Sequence, residues 1–157
     1  GMGPEIVRSE NSAPDFTLDT LGNQNYSRGE RISLSHFDGQ PVIINFWFPS
    51  CPPCRLEMPH FQKAYERHKN SGLQFIGVQV PSLDSADDGQ KFIKEVGVSY
   101  LVGIDVNGSI TQDYIATEIP NTIFLDNNHK IVRKWAGLLT PEKLDELIYK
   151  HGLVPSQ

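Results

Sequence analysis

The stretch VIINFWFPSCPPCRLEMP, residues 42–59, decides how this chain reads. Val42 to Phe48 are apolar except for Asn45, as a strand buried on both faces should be, and they run directly into the chain's two cysteines, Cys51 and Cys54. Beyond them a helical pattern extends from about Pro52 to Ser71, with Leu56, Phe61, Ala64, Tyr65 and His68 roughly on one stripe and Gly72 just past its end. Pro59 is expected to kink that helix. The cysteines thus fall at the carboxyl end of a central strand and in the first turn of a long helix, where open α/β sheets place their chemistry.

Two cysteines scattered at random along such a chain would stand three apart roughly once in eighty times, so the spacing asks for a reason. A helix N-terminus carries about half a positive charge and unpaired N–H groups, which favours a thiolate at Cys51. The i, i+3 spacing brings the two Cα atoms to roughly 5–6 Å, so Cys54 can attack a mixed disulfide formed on Cys51. Pro52 and Pro53 fit the first turn, where a missing N–H costs little. Cys51 is expected at the exposed helix tip and Cys54 one turn inward. A purely structural bridge is the first rival, but so short a loop stabilises by only about 2 kcal/mol in a domain large enough to fold without staples. Metal is the second: Cys-x-x-Cys is half a zinc site, there is no second cysteine pair, and His36, His60, His68, His129 and His151 show no paired ligand spacing. A copper site completed by His129 stays open. Thiol redox chemistry, which needs no bound cofactor because the electrons reside on the two sulfurs, is the leading reading.

The remaining sequence frames that site. With 14 Lys+Arg against 19 Asp+Glu, a net charge of −5 and scattered basic residues, nothing presents a footprint for nucleic acid. No apolar run approaches the roughly 20 residues of a membrane span, so the chain reads as soluble. Gly1, Met2 and Gly3 read as an expression remnant, which leaves a removed leader or anchor open. Residues 1–13 read as a tail, 14–152 as one domain and 153–157 as a second tail. Within the domain, DFTLDT and RISLSHFDGQ suggest an N-terminal β-ribbon, the second strand reaching the turn Asp38-Gly39. LQFIGVQV is a buried strand, DDGQKFIKEVG a helix, YLVGID a short strand and GSITQDYIA another helix. NTIFLD and KIVRKWAG form a hairpin through Asn127, Asn128 and His129, and TPEKLDELIYKHG is a capped helix. The pattern is α/β with a mixed central sheet flanked by helices.

NFWFPSCPPCRLEMP resembles the active-site segment of the TlpA/ResA-type thiol-disulfide oxidoreductases, thioredoxin-fold proteins usually tethered outside the cytoplasmic membrane. SAPDFTLDTLGNQ is similar to that family's opening, DGQPVIINFW to its first central strand and IPNTIFLDNNHKIV to a later segment, so residues 13–150 are covered. The resemblance implies a thioredoxin-like fold, Cys51 as nucleophile, Cys54 as resolving thiol, Pro120 as a cis-proline beside them and Glu57 as the acid near the buried thiol. It also implies protein disulfides or dithiols as partners, an upstream membrane electron donor, a monomer and an extracytoplasmic location, with the cytoplasm as the alternative. APDFTL also resembles the peroxiredoxins, but their Pro-x-x-x-Thr-x-x-Cys pattern counted from Pro49 places Leu56 at the cysteine position.

Glu57 lies three residues after Cys54 on the same helix, within reach for passing a proton to or from that thiol, although acids also suit first turns for the dipole alone. Trp47, Pro49, Ser50, Pro52, Pro53, Ile119 and Pro120 are expected to line the partner-facing surface, with Trp47, Phe46 and Phe48 as core and groove wall. Tyr114 and Trp135 read as core. Ser50 stands where the family usually has tryptophan, Asn121 where threonine usually follows the proline, and Asn45 where cytosolic thioredoxins carry a buried aspartate. Because Pro52 and Pro53 have no N–H, Cys51 keeps only the donors from Cys54 and Arg55 onward, which predicts a thiolate less favoured than with a donor at position 52, a reductant rather than an oxidant, and a Pro52→Ala variant with a lower Cys51 pKa and a less negative potential.

Overall fold

A computed structural model describes residues 11–156 of the 157-residue chain; the tail reading of residues 1–10 and of residue 157 falls outside it. The continuous apolar run forms β3, Val42–Trp47, and all six of its residues are buried. Its neighbours are β4, Gln74–Gln79, parallel on one side, and β6, Asn121–Leu125, antiparallel on the other. The strands β1 (Thr17–Thr20), β2 (Arg31–Ser33), β5 (Leu101–Ile104) and β7 (Ile131–Ala136) complete a seven-stranded mixed sheet in the order β2-β1-β5-β4-β3-β6-β7. The expected N-terminal ribbon is present as the β1–β2 pair, but β1 also pairs antiparallel with β5, so the ribbon prolongs the central sheet. At that joint Gly103 is needed: a Cβ there would meet the Asp19 carbonyl oxygen at 2.7 Å.

Strand alternation divides the core into two layers. Ile43 and Trp47 face one side with Phe61, Phe75, Tyr100 and Phe124, together with both cysteines. Val42, Ile44 and Phe46 face the other with Ile76, Val78, Tyr114 and Ile123. Among the described residues four α-helices accompany the sheet: α1 (Pro52–His68), α2 (Ala86–Val96), α3 (Ser109–Asp113) and α4 (Pro141–Lys150). Their ends follow the sequence. Pro52 opens α1 as its first residue, Ser85 and Asp88 form a reciprocal capping box on α2, and Thr140 caps α4 ahead of Pro141.

Several expectations need correction. Helix α1 runs through Pro59 to His68 and continues as a 3-10 turn to Ser71, but Leu56 is 62% exposed; Met58 and Glu57 occupy the buried stripe instead. The segment after β2 is not strand but a 3-10 turn, Leu34–Phe37, which buries Leu34 and Phe37 together as a two-residue alternation could not. Trp135 is half-buried on an edge strand, its indole donating to the Leu138 carbonyl at 3.1 Å. Leu153 and Val154, read as the start of a tail, pack into the layer beneath α1.

Candidate active site

The loop leaving β3 turns at once, the Cys51 N–H donating to the Phe48 carbonyl at 3.1 Å, and this turn delivers Cys51 to the N-cap position of α1. Its Sγ accepts a hydrogen bond from the Cys54 N–H at 3.3 Å. The two cysteines form a disulfide with Cα atoms 5.3 Å apart, as the i, i+3 spacing requires. The Arg55 N–H, counted from sequence as a donor to this sulfur, is instead taken by the Cys51 carbonyl at 3.1 Å. Cys51 is also not an exposed tip: in the disulfide form it is 2% exposed and Cys54 1%.

Glu57 lies one turn further along α1 and is fully buried. One carboxylate oxygen accepts from the Leu139 N–H at 2.6 Å, the other from Asn45 Nδ2 at 3.5 Å. The same Asn45 amide reaches Thr122 Oγ1 on β6 at 3.5 Å. Burial pushes the Glu57 carboxyl up to about 7, against the two hydrogen bonds, which favour the charged form. Asn45, at the strand position noted from sequence, therefore supports an acid supplied by the neighbouring helix. Leu139 lies in the loop before α4, and no local pattern marks its N–H as a partner for Glu57.

The expected partner-facing residues divide by exposure. Ser50 and Pro52 are exposed, Pro53 and Ile119 half-buried, and Pro49 and Pro120 buried. Trp47 is not part of that surface: it is 0% exposed, its ring packed 5.9 Å from that of Phe92. The Ile119–Pro120 peptide is cis and sits one step beyond the last β3–β6 pair, Phe46 with Asn121. Beside the disulfide a polar cleft of about 250 Å³ is lined by Ser50, Arg55, Asp84, Lys91, Phe92 and Glu95, among others. Arg55 donates to the Pro49 carbonyl at 2.9 Å and lies 4.2 Å over the Phe92 ring. Asp84, on the loop after β4, accepts from both the N–H and the hydroxyl of Ser50, at 3.0 and 2.7 Å; sequence reasoning passed over it, because nothing near it marks a contact across 34 positions.

His129 does not complete a metal site with the cysteines. Its Nε2 lies 3.0 Å from the carbonyls of Phe37 and Gln40, at the hairpin end of β6, whereas Cys51 follows the opposite end of β3. Position 56, where the peroxiredoxin pattern would need a cysteine, is an exposed leucine.

The family model described as AhpC/TSA family matches residues 10–134. Among curated proteins, the thiol-disulfide oxidoreductase ResA of Halalkalibacterium halodurans is 31% identical over 145 residues, covering 91% of this chain and 77% of that protein. ResA of Bacillus thuringiensis is 30% identical over 138 residues, covering 88% and 75%. Among solved structures, the thioredoxin domain of a thiol-disulfide oxidoreductase from Bacteroides vulgatus superposes with a TM-score of 0.74 at 28% identity, covering 89% of this chain and 94% of that one. StoA of Bacillus subtilis gives a TM-score of 0.71 at 28% identity, covering 87% and 97%. The chain belongs to the AhpC/TSA family, and within it to the ResA-like thiol-disulfide oxidoreductases of thioredoxin-like fold.

Proposed function

We propose that the protein reduces disulfides of other proteins, with Cys51 as the attacking thiol, Cys54 as the resolving thiol and Glu57 as the group that accepts the Cys54 proton. One observation carries the reading: the disulfide sits at a helix N-cap with a buried, proton-binding carboxylate one turn inward from Cys54. The Cys51 thiolate attacks one sulfur of the substrate disulfide, breaking that S–S bond and releasing the other sulfur as a thiolate, which takes up a proton. Cys54 passes its proton to Glu57 and attacks Cys51 Sγ, so the second substrate sulfur leaves and two electrons have moved to the substrate. The Cys51–Cys54 disulfide is the only redox group this scheme requires.

Ser50, Pro52, Pro53 and Ile119 form the face that meets the substrate. Among the described residues no backbone hydrogen bond engages Ile119, which leaves its N–H and carbonyl available to an extended substrate segment. The protein acts as a monomer outside the cytoplasm and is recharged by a membrane electron donor; the kinship with ResA supports this placement. No helix among the described residues is long and apolar enough to cross a membrane.

A brief iodoacetamide pulse on reduced protein, followed by mass mapping, is expected to label Cys51 well ahead of Cys54. A Cys54→Ser variant is expected to accumulate a mixed disulfide through Cys51, and mass spectrometry of the adduct identifies the substrate. Dominant labelling at Cys54 would reverse the assigned roles.

A further inference from the structure

We propose that Asp84 is a positioning residue that sets how easily the Cys51–Cys54 disulfide is reduced: its carboxylate pins the residue before Cys51 and opposes a negative charge there. The inference rests on reading Cys51 as the attacking thiol. Asp84 Oδ2 receives both hydrogen-bond donors of Ser50, the N–H at 3.0 Å and the hydroxyl at 2.7 Å. Neither donor is then left to turn toward a thiolate on the next residue. The carboxylate itself is a like charge bonded to the residue that adjoins that thiolate, and a like charge disfavours ionisation.

The loop that carries Asp84 is anchored from below. Gln79, fully buried at the end of β4, donates to the Ser85 carbonyl at 3.1 Å. Its amide occupies space left free by Gly89, where a Cβ would fall 1.9 Å from Gln79 Oε1. Asp84 thus sits between a buried anchor and the capping box of α2, and is held at Ser50.

The other charges around the cleft are engaged elsewhere. From α1, Arg55 stacks on Phe92, donates to the Pro49 carbonyl and lies 3.8 Å from Glu95 of α2. Asp88 accepts from the Ser85 N–H at 2.8 Å and has Lys91 as its charged neighbour on α2. Glu57 lies buried beneath Cys54, its oxygens bonded to Leu139 and Asn45. Asp84 is the carboxylate bonded directly to the residue adjoining Cys51.

Removing this charge lowers the Cys51 thiol pKa and favours the dithiol. Asp84→Asn is expected to lower that pKa by about half a unit to one unit, read from the pH dependence of Cys51 alkylation. The equilibrium with glutathione, in which two glutathione thiols reduce the protein disulfide and leave as one glutathione disulfide, should move about 3- to 10-fold toward the dithiol at pH above the Cys51 pKa. That fold-change corresponds to a potential less negative by about 15 to 30 mV. Asp84→Glu, which keeps the charge, is expected to restore the wild-type pKa, a rescue that a packing role for Asp84 would not produce through charge. The unaltered protein gives a second readout: the Asp84 carboxyl carbon signal in NMR should show an inflection at the Cys51 pKa in the dithiol form and none in the disulfide form. If mapping shows Cys54 reacting first, the functional reading itself fails. If Cys51 reacts first but Asp84→Asn leaves its pKa unchanged or raises it, or the carboxyl signal shows no inflection, Asp84 does not act on the sulfur.

Discussion

Glu57 is a group whose protonation is tied to folding. Its carboxyl is raised from 4.5 to about 7, chiefly by burial, so across that interval the native protein holds a proton that the unfolded chain has released. This contribution to stability is fully present below about 4.5, declines as pH rises, and is gone once the native carboxyl has ionised above about 7. Its upper limit is on the order of 3 kcal/mol. Glu57→Gln is therefore expected to melt above wild type at pH 8, with the two curves converging near pH 4.5; scanning calorimetry across that range checks the sign. The same variant should slow the resolving step about 10- to 100-fold and abolish an inflection near pH 7 in its rate. Equal rates across pH 6 to 9 would leave Glu57 with only an electrostatic role in the helix. The acid could be read from the sequence through its spacing from Cys54, whereas the Leu139 N–H that holds it could not, since that bond spans 82 positions.

At the scale of an element, helix α1 alters the argument about the two prolines. An N-cap side chain accepts from the N–H of the second or third helical residue, and with Cys51 as cap these are Pro53 and Cys54. Cys54 supplies its N–H at 3.3 Å, while Pro53 has none to give. Pro52, at the first helical position, would not aim an N–H at the sulfur even if it had one. The tuning expected from both prolines therefore concentrates at Pro53. Pro53→Ala should lower the Cys51 pKa and make the potential less negative by about 10 to 30 mV, and Pro52→Ala should do clearly less. Glutathione equilibration of both variants tests the order; a larger shift from Pro52→Ala would overturn the capping argument. Cap identity depends on where the helix begins to within one residue, and the sequence places that start only approximately. The misplaced Leu56 has a similar origin, because both prolines at the start of α1 blur the phase of its stripe. The short 3-10 turn at 34–37 is shorter than any periodicity can register. Strands β3, β4 and β6, by contrast, were legible because burial on both faces leaves runs of apolar residues that little else explains.

For the whole molecule, the order of elements followed from the sequence, but how the sheet is bordered did not, because strand order depends on contacts between distant segments. Among the described residues the borders are β2 and β7, and the start of β7 is already engaged: the Ile131 N–H donates to the Asn11 carbonyl at 2.7 Å and Ser12 bridges Lys130. Border β2 is only three residues long and begins with the exposed Arg31. Border β7 carries Arg133 and Lys134 at its middle, with Lys134 Nζ reaching the Tyr114 carbonyl at 3.3 Å. Charges and brevity are the means by which open sheets refuse a foreign strand. On the proposed function this has a practical result: a substrate chain that zips onto neither border engages only the short free backbone at Ile119 and departs once exchange is complete. Replacing Arg133 and Lys134 together by threonine should leave disulfide reduction near the wild-type rate while producing concentration-dependent self-association in sedimentation. Continued monodispersity at high concentration would mean that β7 is protected by its twist and not by its charge. In the first case, solubility is a property of two side chains on a border strand two places away from β3, one on each face of the sheet.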